Sequence, residues 1–237
     1  MNSKLLSFLY FTIVLNAVGY AQAGQIVASG NGVNNFTEIS SYTSGIWSQT
    51  SNSEAVYQVM GSPFLFEDWK TKSILVAKNN KKFKLSKVNY DAKLDQIVAK
   101  ISNDSIFYFN PAGIEQVLIN NRVFERYLDP ELERNSYYEV IAAAENTKLL
   151  KRFTKVVKEG MVNPMTQKKQ TRDSYMLQEK YFVLDEGKVN ELKLKRKRIL
   201  KLFDEKATRV SEYIKENHLS VKDDKDLRKI FNYYESI

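Results

Sequence analysis

The sequence predicts an α+β protein that is mainly β: an antiparallel meander, barrel-like or sandwich, followed by a C-terminal helical hairpin. Three observations carry this. Across residues 72–127 short apolar segments alternate with Asn/Asp/Ser/Pro/Gly clusters about every 8–12 residues, the spacing of antiparallel hairpins rather than of βαβ units. Toward the C-terminus the apolar period changes from that of a strand to that of a helix. The chain has no cysteine in 237 residues, so disulfides are excluded and core packing alone must hold it, which a chain of this length can manage.

The N-terminus comes first. Lys4 precedes an apolar run over residues 5–15, and Ala21-Gln22-Ala23 offers the small side chains that a signal peptidase accepts. Residues 1–23 therefore read as a secretory signal peptide cleaved after Ala23, with Ala21 and Ala23 as the recognition pair. The apolar run is shorter than the ~18 residues of a spanning helix, and no second stretch is long enough to cross a membrane after signal removal. The expected location is periplasmic or cell-surface associated. The absence of cysteine also removes the acylation point of a bacterial lipoprotein. Residues 24–54 are rich in Ser, Asn, Gly and Thr with isolated Ile26, Phe36, Ile39, Ile46 and Trp47, and read as a polar arm or linker that Trp47 could dock onto the domain.

Residues 55–194 form the expected β domain. A first strand around Val56-Tyr57-Gln58-Val59-Met60 ends at Gly61-Ser62-Pro63. Segments 74–77 and 83–85 read as a hairpin across an Asn79-Asn80 turn. Phe83 and Leu85 share one parity while Val88 and Tyr90 share the other, a phase change that predicts a β-bulge. Strands follow at 96–101, with Ile97, Ala99 and Ile101 on one face, then at 106–109, 117–119 and 123–124. After the Leu128-Asp129-Pro130-Glu131 break, 137–144 and 148–157 pair across residues 145–147; the Ala142-Ala143-Ala144 run is equally compatible with a helix. Residues 160–174 read as a loop, and 175–184 with 189–194 as a last hairpin across Asp185-Glu186-Gly187-Lys188.

Residues 195–237 are the expected helical hairpin packed on the sheet. Ala207, Val210, Tyr213 and Ile214 share one helical face, and Leu227, Ile230, Phe231 and Tyr234 share another. Ser220 with Asp223 resembles a capping box, and Asn217-His218-Leu219 breaks the two helices.

Chemistry is harder to find. His218 is the only histidine; it stands at a helix end, where an imidazolium interacts favourably with the helix dipole. The acid pairs Asp91/Asp95 and Asp223/Asp224 fall in a turn and at a helix start. No phosphate-binding glycine loop, nucleophile elbow, cofactor motif or multi-histidine metal set is present. The formal charge of +8 favours anionic surfaces without selecting one. Its sharpest concentration is Lys193, Lys195, Arg196, Lys197 and Arg198. That block reads either as an anionic-surface contact or as the solvated side of a strand-to-helix junction whose Leu194, Ile199, Leu200 and Phe203 face inward, and charge runs on helices favour the second. A second basic cluster, Lys148, Lys151, Arg152, Lys155 and Lys158, carries the same two readings. Asn35-Phe36-Thr37 and Asn103-Asp104-Ser105 match the short glycosylation pattern, and Ser105 within Asp104-Ser105-Ile106 is a candidate O-glycan position.

Gly61-Ser62-Pro63-Phe64-Leu65, the 88–97 segment, Tyr137-Tyr138-Glu139-Val140, Lys148-Leu149-Leu150-Lys151-Arg152 and Tyr233-Tyr234-Glu235-Ser236-Ile237 resemble signature segments of exported Bacteroidota cell-envelope proteins. The resemblance spans residues 56–237. It implies a β-rich envelope protein with a helical C-terminus, and it assigns no activity and no functional residue.

The functional expectation is an exported envelope protein acting as a non-catalytic binding or assembly module, in contact with a partner protein or an anionic lipid or glycan surface. The alternative is a hydrolase that attacks an envelope polymer through Asp/Glu residues gathered by the fold. Export argues against nucleic acid as the partner.

Overall fold

The computed structural model describes residues 45–49, 59–102, 105–144 and 147–237. The signal segment with Ala21 and Ala23, most of the arm, the side chain of Trp47 and both Asn35 and Asn103 lie outside them. The strands are β1 (Gly45–Gln49), β2 (Val59–Met60), β3 (Lys72–Ala77), β4 (Lys82–Ser86), β5 (Val88–Asp91), β6 (Gln96–Ser102), β7 (Ser105–Phe109), β8 (Ile114–Ile119), β9 (Arg122–Asp129), β10 (Arg134–Ala144), β11 (Thr147–Lys158), β12 (Asp173–Asp185) and β13 (Lys188–Glu191). The helical end comprises α1 (Arg196–Leu200), a 3-10 segment (Lys201–Lys206), α2 (Ala207–Glu216) and α3 (Asp224–Ser236).

Two sheets result. The smaller runs β1-β7-β6-β5; the larger runs β13-β12-β11-β10-β9-β8-β3-β4 and carries β2 alongside β12. Apart from the parallel β2–β12 pair, every ladder is antiparallel. The tight hairpin turns need residues in the left-handed region, and the sequence places Asn80, Asn120, Asn121 and Gly187 there, with φ of 64°, 50°, 64° and 77°. The Ala142-Ala143-Ala144 run is strand. It pairs with residues 147–149 after a register shift past Val140, and Ala142 packs in the core opposite Leu149.

The phase change between Phe83/Leu85 and Val88/Tyr90 has a cause other than a bulge. Lys87, at φ 57°, turns the chain out of the larger sheet at β4 and into the smaller sheet at β5. Phe83, Leu85, Val88 and Tyr90 then meet in one core, approached from two facing sheets. Tyr90 contacts Phe124 of the larger sheet at 5.7 Å and Tyr137 at 6.0 Å between ring centres. The architecture is a sandwich over this half of the molecule.

Strand β10 shows how the other half is covered. Tyr137 belongs to the inter-sheet core, and Ile141, on the same side, belongs to a second core with Leu149, Val183, Ile199, Phe203, Leu227, Ile230 and Phe231. One face of the larger sheet therefore carries the small sheet and the helices side by side. Between them sits buried Glu139, ion-paired to Arg122 at 2.7 Å and to Arg228 of α3 at 3.2 Å. The opposite face buries Tyr138, Leu150, Phe182 and Val189, and β13 curls back to touch β9. No ladder joins those two among the described residues, so the sheet stays open and the barrel-like alternative does not hold.

The helical end departs from a simple hairpin. Helix α3 lies along β10, whereas α2 leans on the 3-10 segment and on α3, where Tyr213 and Tyr233 stack with ring centres 4.0 Å apart. The cap also moves. Asp223, not Ser220, is the N-cap of α3 and accepts from the Lys225 and Asp226 amides; Asp226 in turn accepts from the Ser220 amide at 3.0 Å. Asp223 is still extended, at φ −107° and ψ 128°, so its carboxylate faces the first free amides of the helix and caps it, and the acid that reaches back is Asp226. His218 closes α2 at φ 51°. Among the described residues no helix is long and apolar enough to cross a membrane.

Candidate functional site: an unpaired basic groove

Strand β13 ends by burying Leu192, whose amide donates to the Tyr181 carbonyl, and the chain then turns into α1. Ile199 of α1 and Phe203 of the 3-10 segment are driven into the core, where Phe203 meets Phe231 at 5.2 Å. Burying those residues leaves Lys193, Lys195, Arg196, Lys197 and Arg198 exposed on the outer side. Arg196 is held in place: its guanidinium donates to the Ser211 carbonyl at 2.8 Å and to its hydroxyl at 3.2 Å. Arg196, Lys197, Leu200, Lys201, Asp204 and Ala207 line an open groove of about 670 Å³. Leu200 and Ala207 give it an apolar floor. Asp204 sits at its end in a strained conformation, φ 41° and ψ −118°. Lys193, Lys195, Lys197, Arg198 and Lys201 form no ion pair among the described residues. Leu200, Lys201, Asp204 and Ala207 extend the site beyond the basic run itself. Their spacing from Arg196 and Lys197 follows a helical face, a signal that the sequence carries but that the run of charge obscures.

The second basic cluster behaves differently. Lys148 binds Glu125 at 2.7 Å and the Tyr127 hydroxyl at 3.0 Å. Lys151 binds Glu179 at 2.9 Å and Asp224 of α3 at 3.0 Å. Arg152, buried on the opposite face, grips Asp129 and binds Glu131 at 2.6 Å, while Tyr138 donates to Asp129 at 2.5 Å. Burial alone would raise the Asp129 carboxyl, but the Arg152 and Tyr138 hydrogen bonds outweigh it and hold the group below its ordinary value. Glu125 is likewise held low: the Lys148, Tyr127 and Gln116 bonds exceed the effect of burial. Only Lys155 and Lys158 of this cluster lack an ion pair among the described residues.

The acid pairs are used structurally. Asp91 Oδ1 accepts the Lys93 and Leu94 amides at 3.0 and 2.9 Å, closing the β5–β6 turn, and Oδ2 faces the Tyr108 hydroxyl at 3.5 Å. Asp95 Oδ1 accepts the Tyr90 hydroxyl at 2.8 Å and the Tyr137 amide at 3.0 Å, tying that turn to β10; Arg134 stands 3.7 Å from Oδ2. Burial raises both carboxyls above their ordinary value despite these bonds. It also lifts Tyr108 to about 12, with Asp91 adding to the effect. Asp223 caps α3, and Asp224 accepts from Tyr181 and Lys151. Ser105 opens β7 opposite Gln49 and Ser102 and is half-buried. Among the described residues no group of three His, Cys, Asp or Glu side chains is placed to hold a metal ion. Comparison with family models, curated proteins and solved structures finds no match.

Proposed function

We propose that the protein is an exported, non-catalytic binding module of the cell envelope that holds anionic headgroups through the α1 groove. The carrying observation is that Lys193, Lys195, Lys197, Arg198 and Lys201 stand exposed with no ion pair among the described residues, Asp204 being the one acid lining the groove, while Ile199 and Phe203 beside them are locked in the core. An excess of positive charge on one shoulder projects a field that attracts an opposite surface. Apolar stems along the groove floor add contact once the surface arrives. The N-terminal secretion pattern and the likeness to Bacteroidota envelope proteins support the compartment. The acid pairs argue for this reading over a hydrolase, because Asp91, Asp95, Asp223 and Asp224 already serve turns, a helix cap and contacts to tyrosine and lysine.

The test is co-sedimentation of the chain with vesicles containing phosphatidylglycerol. Lys195→Glu, Lys197→Glu and Arg198→Glu together spare the Arg196–Ser211 anchor and should abolish low-salt binding. The same number of reversals at exposed Lys78, Lys82 and Lys84 should lower it much less. Binding should weaken as salt shortens the screening length. Equal losses in the two triple variants would reduce the interaction to net charge and refute the groove.

A further inference from the structure

The chain contains five methionines, and apart from Met1 every one is exposed at the same end of the β11–β12 pair. Met60 lies beside Ser174 in the parallel β2–β12 ladder, and Met176 pairs opposite Val156. Met161 and Met165 stand in the connection beyond, with exposures of 67% and 92%. Val157 and Val162 beside them are 40% and 45% exposed. Apolar side chains of this kind usually go inside. A cluster of them at one projecting tip needs a reason.

The tip is built, not loose. The Met161 amide donates to the Thr171 hydroxyl at 2.8 Å, and the Gln170 amide to the Met161 carbonyl at 2.7 Å. A bridge joins Val162 to Lys169. Asn163 Oδ1 accepts the Met165 and Thr166 amides, fixing the apex around Pro164. Gly160 is required: a Cβ there would fall 1.9 Å from the Thr171 carbonyl oxygen. This framework holds Met161, Val162 and Met165 out of the core. Around them stand Lys158, Lys168 and Arg172, exposed and without an ion pair among the described residues, whereas Lys169 is bound to Asp173 at 2.7 Å.

We propose that this tip inserts into an anionic lipid bilayer. Met161, Val162 and Met165 enter the boundary between headgroups and acyl chains, and Lys158, Lys168 and Arg172 meet the headgroup phosphates. A small apex of apolar side chains ringed by several cations, with Glu159 the exposed acid beside Lys158, matches the layered polarity of a membrane surface. The inference is independent of the α1 groove. That groove follows β13, which ends where Glu191 pairs with Phe182, about 20 Å along β12 from Met176 at the rise of an extended strand.

The absence of cysteine makes the test clean. A Met165→Cys variant of the exported chain, carrying a polarity-sensitive fluorophore, is titrated with vesicles of phosphatidylethanolamine and phosphatidylglycerol. A Lys188→Cys variant is the reference. The expected result is a blue shift at position 165, quenched by bilayer-borne quencher, with no shift at 188. It should persist when Lys195, Lys197 and Arg198 are reversed to Glu, which separates this site from the groove. Met161→Asp with Met165→Asp should lower vesicle affinity by about tenfold or more with an unchanged circular dichroism spectrum. An unshifted fluorophore at 165 on these vesicles, or wild-type affinity in the double variant, overturns the proposal and leaves the tip to a protein partner.

Discussion

The two basic clusters look alike in sequence and differ in what the fold does with them. Lys148, Lys151 and Arg152 lie on β11, in the middle of a sheet covered on both faces, so each must bring a carboxylate or lose hydration uncompensated. Lys193 to Lys201 lie on a shoulder with one buried side, where water solvates the charge and no partner is needed. Lys151 and Arg152 of the first cluster are buried and Lys148 is half-buried, whereas the second cluster is presented outward. A count of lysines and arginines cannot separate them, because what decides is the number of faces the backbone covers.

The comparison is easiest to break at Arg152. Arg152→Ala would leave Asp129 buried without its cation and should cost about 3–5 kcal/mol, read as a fall in urea midpoint. A loss no larger than that of a surface residue would mean that this cluster, too, is solvated.

A smaller effect contrasts two acids. Asp129 is held low, so it contributes stability above its unfolded value of 3.8 and that contribution disappears as pH falls through the folded value. Asp91 is held high by burial, so the sign reverses: its contribution is complete below 3.8 and is lost as pH rises through the folded value. Asp91→Asn keeps the acceptor for the Lys93 and Leu94 amides and removes the charge. It should raise the urea midpoint at pH 7 and lose that advantage near pH 3; Asp129→Asn should lower the pH 7 midpoint.

The smallest expected change in stability belongs to the outward cluster. Lys195→Glu, Lys197→Glu and Arg198→Glu should each shift unfolding by no more than about 0.5 kcal/mol. A thermal melt checks this, and a large loss would show that the block is structural after all.

Much of the fold was legible because hairpins write themselves locally. The Asn79-Asn80 and Asn120-Asn121 pairs sit where left-handed turns are needed, and the apolar faces of α2 and α3 follow from spacing alone. The crossing at Lys87 was not legible as such. A strand that changes sheets and a bulged strand produce the same flip of parity, and only the partner strand distinguishes them. The basic block was visible, but its lack of counter-charge was not, since pairing depends on residues such as Glu179 and Asp224 that are distant in sequence from the lysine they bind. The sequence alone gives the exposed tip as a loop, because Met161 and Met165 are only two residues in a stretch dominated by Lys, Gln and Thr.

The crossing at Lys87 also shapes how the chain folds. Strands β5 to β7 are inserted between β4 and β8, although β3 and β8 are neighbours in the larger sheet, with Ser73 opposite Ile119. Strands β8 to β13 each follow a sequence neighbour and can zip up from short loops, whereas the β3–β4 hairpin must wait for a long loop to close. The topology predicts an order of assembly in which the C-terminal meander forms first and docking of the β3–β4 hairpin is the slow step, so destabilising substitutions in β10 should slow folding and those in β4 should mainly speed unfolding.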